Sequence, residues 1–323
     1  MKKIAVFTSG GDAPGMNACL RAVVRTGIHK GLEVVGIKRG YEGLLDADFI
    51  PMESHSVSGI IQKGGTILQS ARSDRFRTKK GRKLAYENLQ KAGIEGIVAI
   101  GGDGTFTGAS VFMKEYPDIA IVGCPGTIDN DLYGTDFTIG YDTAINTAMN
   151  AIDNVKDTAN AHNRLFFIEV MGRDAGFIAL RSGIATGAEA VLVPESKTNI
   201  DELVKELRQN HENKKTASIV IVAEGDDAGG AFEVAEAVKK QTDIYDIRVT
   251  ILGHVQRGGR PTAMERVRAS RMGMEAVKAL LDGKKGVMIG TLHRAISYTP
   301  FEKAIKHHER MNPMLLEMIN ILG

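Results

Sequence analysis

Residues 121–131 read Ile121-Val122-Gly123-Cys124-Pro125-Gly126-Thr127-Ile128-Asp129-Asn130-Asp131. An apolar run stops at Pro-Gly, and two carboxylates follow with one residue between them. The pattern predicts a buried strand ending at Pro125-Gly126, with Asp129 and Asp131 in a tight loop at its carboxyl end. Ligands of open parallel sheets sit beyond the carboxyl ends of the strands. Two acids there suit Mg²⁺, or a base acting on a hydroxyl. Taken alone they equally suit an Asp-rich surface turn. Upstream, Gly101-Gly102-Asp103-Gly104-Thr105 repeats the arrangement and tips the balance toward a site.

Outward from these two stretches the same unit recurs: a short β-branched run, a Gly-rich polar loop, then a helical stretch. It is visible at Ile4–Phe7, Val34–Ile37, Gly96–Ile100, Ile119–Gly123, Leu165–Val170, Ala190–Val193, Ser218–Ala223 and Arg248–Leu252. Alternating strands and helices predict an α/β fold with mainly parallel sheets, covered on both faces. With 323 residues the chain exceeds one ordinary core, so two domains are expected. A net charge of +2 with no long basic run argues against nucleic acid or a membrane surface as partner. Met1-Lys2-Lys3-Ile4-Ala5-Val6-Phe7 reads as a strand rather than a signal peptide, and no stretch reaches membrane-span length. Cys19 and Cys124 read as two reduced, partly buried thiols of a cytoplasmic protein.

Several stretches bear on phosphate chemistry. Gly10-Gly11-Asp12 follows the first strand: the glycines admit backbone amides to a ligand, and Asp12 is expected to cap a helix starting near Pro14. A plain strand-to-helix turn has the same look. Arg21 and Arg25 share a helix face, as a solvated pair or an anion site. Arg72, Arg75 and Arg77 follow Gly64-Gly65-Thr66 in a stretch without helical period, where an arginine can reach phosphate oxygens. Lys79–Lys83 reads as an exposed helix start, continuing with Leu84, Ala85, Leu89 and Ala92 inward. The loop at 101–108 is neither a Walker A loop nor a dinucleotide fingerprint. Its amides can still cradle phosphate, Asp103 can take Mg²⁺, and a helix from Thr107 would aim its amino end at the same place. Tyr141–Lys156 reads as a helix with an apolar stripe of Ile145, Ala148, Met149, Ile152 and Val155.

Five stretches stand in order: Gly10-Gly11-Asp12-Ala13-Pro14-Gly15-Met16-Asn17, Gly101–Thr105, Pro125–Asp131, Met171-Gly172-Arg173 and Gly253-His254-Val255-Gln256-Arg257-Gly258-Gly259. Together they resemble the bacterial ATP-dependent 6-phosphofructokinases, from Lys3 to roughly Leu281. The resemblance implies two Rossmann-like three-layer α/β domains with the active site in the cleft between them. Residues 1–140 with 254–303 would bind ATP, and 141–253 with 304–323 the sugar phosphate. It implies an ATP site of Gly11, Arg72, Ser73, Gly102, Asp103, Gly104 and Thr105, with Mg²⁺ at Asp103. Asp129 would be the base toward the 1-hydroxyl of fructose 6-phosphate, Thr127 would orient the transferring group, and Asp131 would support the metal and the loop. Arg72 and Arg173 would spread charge over the phosphoryl oxygens.

The implied sugar-phosphate site comprises Thr127, Ile128, Asp129, Arg164, Met171, Gly172, Arg173, Glu224, Arg248, His254, Val255, Gln256 and Arg257. Arg164 would reach the neighbouring subunit's sugar phosphate, within a homotetramer. An effector site for ADP or phosphoenolpyruvate would include Arg21, Arg25, Lys156, Gly187, Glu189 and Lys215. Ser54 stands where strongly regulated relatives place an arginine, which predicts a weaker response. Pyrophosphate-using relatives carry Asp and Lys at the positions of Gly104 and Gly126, where side chains would fill space needed by the α-phosphate, so ATP is the expected donor. A kinase acting on a lipid or on NAD would lack the Thr127–Asp131 pattern together with the His254–Arg257 loop. A non-catalytic sugar-phosphate sensor would need neither Asp103 nor Asp129.

Overall fold

The computed structural model describes residues 1–162, 164–213, 218–305 and 311–322. Its first half runs β1 (Lys3–Thr8), α1 (Met16–His29), β2 (Glu33–Ile37), α2 (Gly40–Asp46), β3 (Phe49–Pro51), α3 (Lys79–Ala92), β4 (Gly96–Gly101), α4 (Asp103–Glu115), β5 (Ala120–Thr127) and β6 (Ile139–Gly140). There follow α5 (Tyr141–His162), β7 (Arg164–Val170), α6 (Phe177–Thr186), β8 (Ala190–Leu192), α7 (Ile200–Glu212), β9 (Ser218–Ala223), α8 (Ala231–Lys239) and β10 (Asp246–Ile251). The chain closes with α9 (Ala263–Leu281), β11 (Val287–Leu292), β12 (Ala295–Pro300), α10 (Phe301–Ala304) and α11 (Pro313–Leu322). It divides into two α/β units: Met1–Thr143 with Arg257–Glu309, and Ala144–Gln256 with Arg310–Gly323. His254, Val255 and Gln256 thus go with the second unit and Arg257 with the first.

The first unit is built on a sheet ordered β12-β11-β5-β4-β1-β2-β3, with β6 beside β5. Strands β2, β1, β4, β5 and β11 run parallel, while β3 and β12 close the edges antiparallel. Its central strands are continuous apolar runs because both faces are covered: Ile4 to Phe7 and Ile97 to Ile100 are wholly buried. One face carries the ring cluster of Phe7, Tyr41, Phe76, Phe106, Phe112 and Phe301. The chain leaves β1 toward β2 on one side and comes back to β4 on the other, so a topological switch point lies between β1 and β4. The second unit has a wholly parallel sheet ordered β10-β7-β9-β8, whose switch point lies beside β7.

Local readings are corrected at several places. β5 does not stop at Pro125-Gly126 but continues to Thr127, because β4 pairs with it as far as Pro125 and β6 takes over at Gly126 and Thr127. α4 starts at Asp103 rather than Thr107. α1 is preceded by Gly15 in the left-handed region (φ 107°), and Asp12 does not cap it. In α3 the buried stripe is Arg82, Ala85 and Leu89, while Leu84 faces out. Arg82 is buried because its guanidinium forks onto Glu115 at 2.7 Å on both arms and donates to the Phe76 and Arg77 carbonyls. Cys19 and Cys124 are wholly rather than partly buried, which pushes the Cys19 thiol well up. In α5 the buried stripe is Ala144, Ala148 and Ile152, with Ile145, Met149 and Val155 only half-buried. The hairpin β11–β12 was not anticipated.

Candidate active site

In the first unit the loops after β1, β4 and β5 emerge side by side at the carboxyl end of the sheet. Ser9 N–H donates to the Ile100 carbonyl at 2.9 Å, joining the first two. Gly101 pairs with Pro125 across β4 and β5, and a Cβ on Gly102 would stand 3.7 Å from the Thr127 Cβ. Asp103 therefore stands beside the stretch that carries Thr127 and Asp129. It is exposed as the first residue of α4, where the helix dipole favours anions, and its carboxylate accepts from Gly104 N–H at 2.7 Å. The first turn of α4 is held from below by Tyr41, whose hydroxyl donates to the Thr105 carbonyl at 2.6 Å. Burial pushes that hydroxyl far above the ordinary tyrosine range.

Gly11 is exposed, and the Arg257 guanidinium lies where a Cβ on Gly11 would stand. Ser73 uses its hydroxyl to accept from Phe76 N–H at 3.1 Å, capping the turn Arg75–Arg77, while Arg72 beside it is exposed. Arg75 is engaged by Glu42 and Asp46 of α2. The two glycines that bear on the donor differ. Nothing lies within 4 Å of a Cβ at Gly104, whereas one at Gly126 would meet Met16 Cε at 2.8 Å and Gly101 N at 3.2 Å. Open space is therefore found at Gly104, whereas at 126 a side chain would have to displace the end of Met16 and press on the Gly101 backbone.

Asp129 is 7% exposed and its N–H donates to Thr127 Oγ1 at 3.2 Å. Ile128 is wholly buried, so its backbone is what it can offer a ligand. The loop from 128 to 138 leaves β5 and returns into β6. Its far side rests on the tip of the β11–β12 hairpin: Asp136 N–H donates to the Thr291 carbonyl at 2.7 Å, and His293 N–H donates to Asp136 Oδ2 at 2.8 Å.

In the second unit, Met171-Gly172-Arg173 follows β7, Glu224 follows β9, and His254–Gln256 follows β10, all at the carboxyl end of that sheet. Arg173 is exposed with φ 56°, and Glu224 Oε1 accepts from its N–H at 2.6 Å. Gln256 is wholly buried: its amide accepts from Met171 N–H at 3.3 Å and donates to the Gly253 carbonyl at 3.1 Å. It braces the loop, whereas His254 and Val255 are exposed. Arg164 and Arg248 lie elsewhere. Arg248 does not begin its strand but is its third residue; Arg164 begins β7 opposite Asp246, and both guanidinium groups bond to Asp246 Oδ2 at 2.9 Å. Arg164 sits at the amino end of its strand, roughly 20 Å along it from the carboxyl-end loops, and Arg248 mid-strand, roughly 10 Å from the end of its own, with its guanidinium turned back to Asp246.

Of the effector residues, Arg21 and Arg25 lie on the outer face of α1 in the first unit. In the second, Lys156 donates to the Thr186 carbonyl at 2.7 Å at the end of α6, beside the cap Gly187, and Glu189 accepts from Asn210 at 2.7 Å. Lys215 lies outside the described residues.

Two buried polar residues next to the site were missed in the sequence reading. Asn130 cross-links the loop it sits in. Glu265, on the first turn of α9, accepts from Thr143 N–H and hydroxyl and from Gly140 N–H, and its chain packs under Gly15. Burial lifts its carboxyl to about 7.

Residues 3–280 match the family model described as phosphofructokinase. The chain belongs to the phosphofructokinase family. It is 53% identical over 322 residues to the ATP-dependent 6-phosphofructokinase 2 of Bacteroides thetaiotaomicron, covering all of this chain and 98% of that one. It is 52% identical over 323 residues to the ATP-dependent 6-phosphofructokinase 1 of Thermus thermophilus, covering both completely. The solved phosphofructokinase of Saccharomyces cerevisiae matches with a TM-score of 0.91 at 40% identity over 95% of this phosphofructokinase chain. The match spans 45% of the yeast chain's length. A pyrophosphate-dependent phosphofructokinase of Marinobacter aquaeolei matches with a TM-score of 0.85 at 22% identity, covering all of this chain and 92% of that one, which shows the shared fold alone.

Proposed function

We propose that this phosphofructokinase transfers the terminal phosphoryl group of MgATP to the 1-hydroxyl of fructose 6-phosphate, giving fructose 1,6-bisphosphate and ADP, with Asp129 as general base. The observation that carries this reading is the juxtaposition of Asp103, at the amino end of α4, with Thr127 and Asp129 one strand away. Phosphoryl transfer asks the protein for positioning and charge stabilisation. The loops at Gly11 and Gly102–Thr105 offer the nucleotide phosphates a glycine-lined backbone without side-chain bulk and the amino-end dipole of α4. Arg72, in an exposed loop, can swing over the same phosphates, and the hydroxyl of Ser73 supports that loop. Asp129, set low in the fold and held through its own N–H, takes the proton as the sugar oxygen attacks phosphorus and ADP leaves.

Asp103 is a hard oxygen donor and would hold Mg²⁺ together with phosphate oxygens, Asp131 supporting it. Among the described residues no cluster of three or more His, Cys, Asp or Glu forms a cage, a donor set that fits a cation carried by the nucleotide. When bound, the ion neutralises charge on the β- and γ-phosphate oxygens. Arg173, exposed three residues past β7, is the guanidinium this reading assigns to the charge of the transferring group. Glu224, His254 and the backbone at Met171–Gly172 bind the sugar phosphate, with Gln256 bracing that loop and Arg257 presenting its guanidinium beside Gly11. Arg164 and Arg248, joined through Asp246 away from the carboxyl-end loops, serve a neighbouring copy's sugar phosphate, which requires at least a dimer; the assembly we propose is a homotetramer.

The ADP or phosphoenolpyruvate site of this reading lies between subunits and draws on Arg21, Arg25, Lys156, Gly187, Glu189 and, from the resemblance alone, Lys215, with a response weakened by Ser54. Two free, buried thiols, Cys19 and Cys124, suit a cytoplasmic enzyme; among the described residues no helix is long and apolar enough to cross a membrane.

The test is a coupled assay with fructose 6-phosphate and MgATP beside Asp129→Asn. The variant should lose about 10²- to 10⁴-fold in kcat, the range of a general base, with the KM for fructose 6-phosphate little changed. Turnover with pyrophosphate but not ATP would reject the donor, and an Asp129→Asn enzyme near wild-type rate would reject the base.

A further inference from the structure

We propose that Asn130 is the positioning residue that sets Asp129 and Thr127 for proton abstraction, by bracing the acidic loop across its own neck. The inference rests on the reading of Asp129 as base. Asn130 lies between Asp129 and Asp131, is 5% exposed, and has φ 55°. A non-glycine residue in the left-handed region is uncommon, and asparagine tolerates it best because its short amide can bond locally. Both ends of the amide are used. Oδ1 accepts from Thr138 N–H at 2.8 Å, and Nδ2 donates to the Asp136 carbonyl at 3.3 Å.

Each partner leads back to the chemistry or out to the scaffold. The Thr138 hydroxyl donates to the Thr127 carbonyl at 2.6 Å, so one residue links Asn130 to the stretch carrying the proposed phosphoryl-orienting threonine. Thr127 Oγ1 in turn receives Asp129 N–H. Asp136 is fixed to the hairpin twice: its N–H donates to the Thr291 carbonyl, and its carboxylate accepts from His293 N–H. The loop is thus tied at three heights: the β5–β6 ladder at its base, the Asn130–Thr138 bond just above, and the hairpin at its rim. The Asp129 N–H on one side of the Asp129–Asn130 peptide and the Asn130 side chain on the other are both held by hydrogen bonds, which restrains the backbone at Asp129 before substrate arrives. The geometry requires one acceptor and one donor from the same side chain. Aspartate would set a carboxylate oxygen against the Asp136 carbonyl, and alanine would lose every bond and resist the positive φ.

Asn130→Gly separates the two roles, since glycine keeps the left-handed backbone and lacks the amide. We expect kcat to fall by about 10- to 100-fold, the scale of a displacement of about 1 Å at a reacting group, with KM for both substrates within about threefold of wild type. The same change is then made in Asp129→Asn. If Asn130 acts through Asp129, its removal there lowers the residual rate by less than about threefold. A purely structural brace would cost the same factor in both backgrounds, and that result, or a kcat within about twofold of wild type in the single variant, overturns the inference. An inactive Asp129→Asn beside a fully active Asn130→Gly rejects this inference alone. A fully active Asp129→Asn rejects the base and the inference with it. Should Asn130→Gly fail to fold, Thr138→Val, which removes the hydroxyl bond to Thr127, is measured in the same two backgrounds against the same limits.

Discussion

Glu265 shows how one buried side chain couples the site to pH. Thr262-Ala263-Met264-Glu265 has the form of a capping box, and Thr262 Oγ1 does accept from Glu265 N–H at 3.1 Å. The carboxyl does not return to Thr262, however; it reaches Gly140 and Thr143, where the loop after Asp129 ends. Thr262 N–H bonds Thr143 Oγ1 instead. Burial is the first cause of its raised pKa, the backbone donors act against it, and the charge of Asp142 adds to it. With a folded value of about 7 against 4.5, the native state keeps a proton that the unfolded chain has lost between those values. The stability from this group is complete below about 4.5 and disappears as pH rises through about 7, on the order of 3 kcal/mol in all. Glu265→Gln lacks this loss, so urea midpoints at pH 5, 6, 7 and 8 should show the variant gaining on wild type as pH rises. A constant difference would place the carboxyl in its ordinary range. Asp103, Asp129 and the glycine loops were legible in the sequence because strand ends and Gly-rich turns have local signatures. Glu265 was not, because its partners lie 122 and 125 positions away in the chain.

At the scale of elements, the β11–β12 hairpin carries the clearest mismatch between sequence signal and structure. Leu292 pairs with Ala295, and the two residues between them, His293 and Arg294, have φ 49° and 68°. A two-residue hairpin with two left-handed positions ordinarily asks for Asn-Gly or Asp-Gly. His-Arg has no such signature, so the turn was invisible. Its conformation is supported from outside, by His293 N–H on Asp136 and by Arg271 donating to the Arg294 carbonyl at 2.9 Å. Both supports are backbone atoms on the hairpin side. Replacing His293-Arg294 with Asn-Gly should therefore leave them intact and raise stability by about 1 kcal/mol, by removing strain at two positions. Thermal unfolding measures it, and a lower midpoint would show that the side chains themselves hold the turn. The strands of both sheets were readable as apolar runs, whereas the end of β5 was not. Pro125-Gly126 is a local stop signal that β6, entering from a later loop, overrides.

At the scale of the whole molecule, the placement of Arg164 and Arg248 decides what one chain can do. Both belong to the proposed sugar-phosphate site, yet both bond Asp246 toward the amino end of a sheet whose carboxyl end carries Arg173, Glu224 and His254. If they serve a neighbouring copy, two differently damaged chains should repair each other. Asp129→Asn and Arg248→Ser, each nearly inactive alone, should regain a measurable share of wild-type turnover when unfolded and refolded together. No recovery at any mixing ratio, with mixed oligomers demonstrated by mass, would mean each chain completes its own site. The amino-acid sequence by itself determined the α/β class, the parallel strands, the Gly-rich loops and the acids at strand ends. These follow from period, composition and turn chemistry within about ten residues. Only the tertiary structure decided the rest: that β4 and β5 are neighbours and so bring the loop of Asp103 beside the stretch that carries Thr127 and Asp129, that Gly126 faces Met16, that Gln256 is an internal brace, and that Arg164 and Arg248 part from the other arginines. Strand order and side-chain partners arise from packing between distant segments, and no local stretch records them.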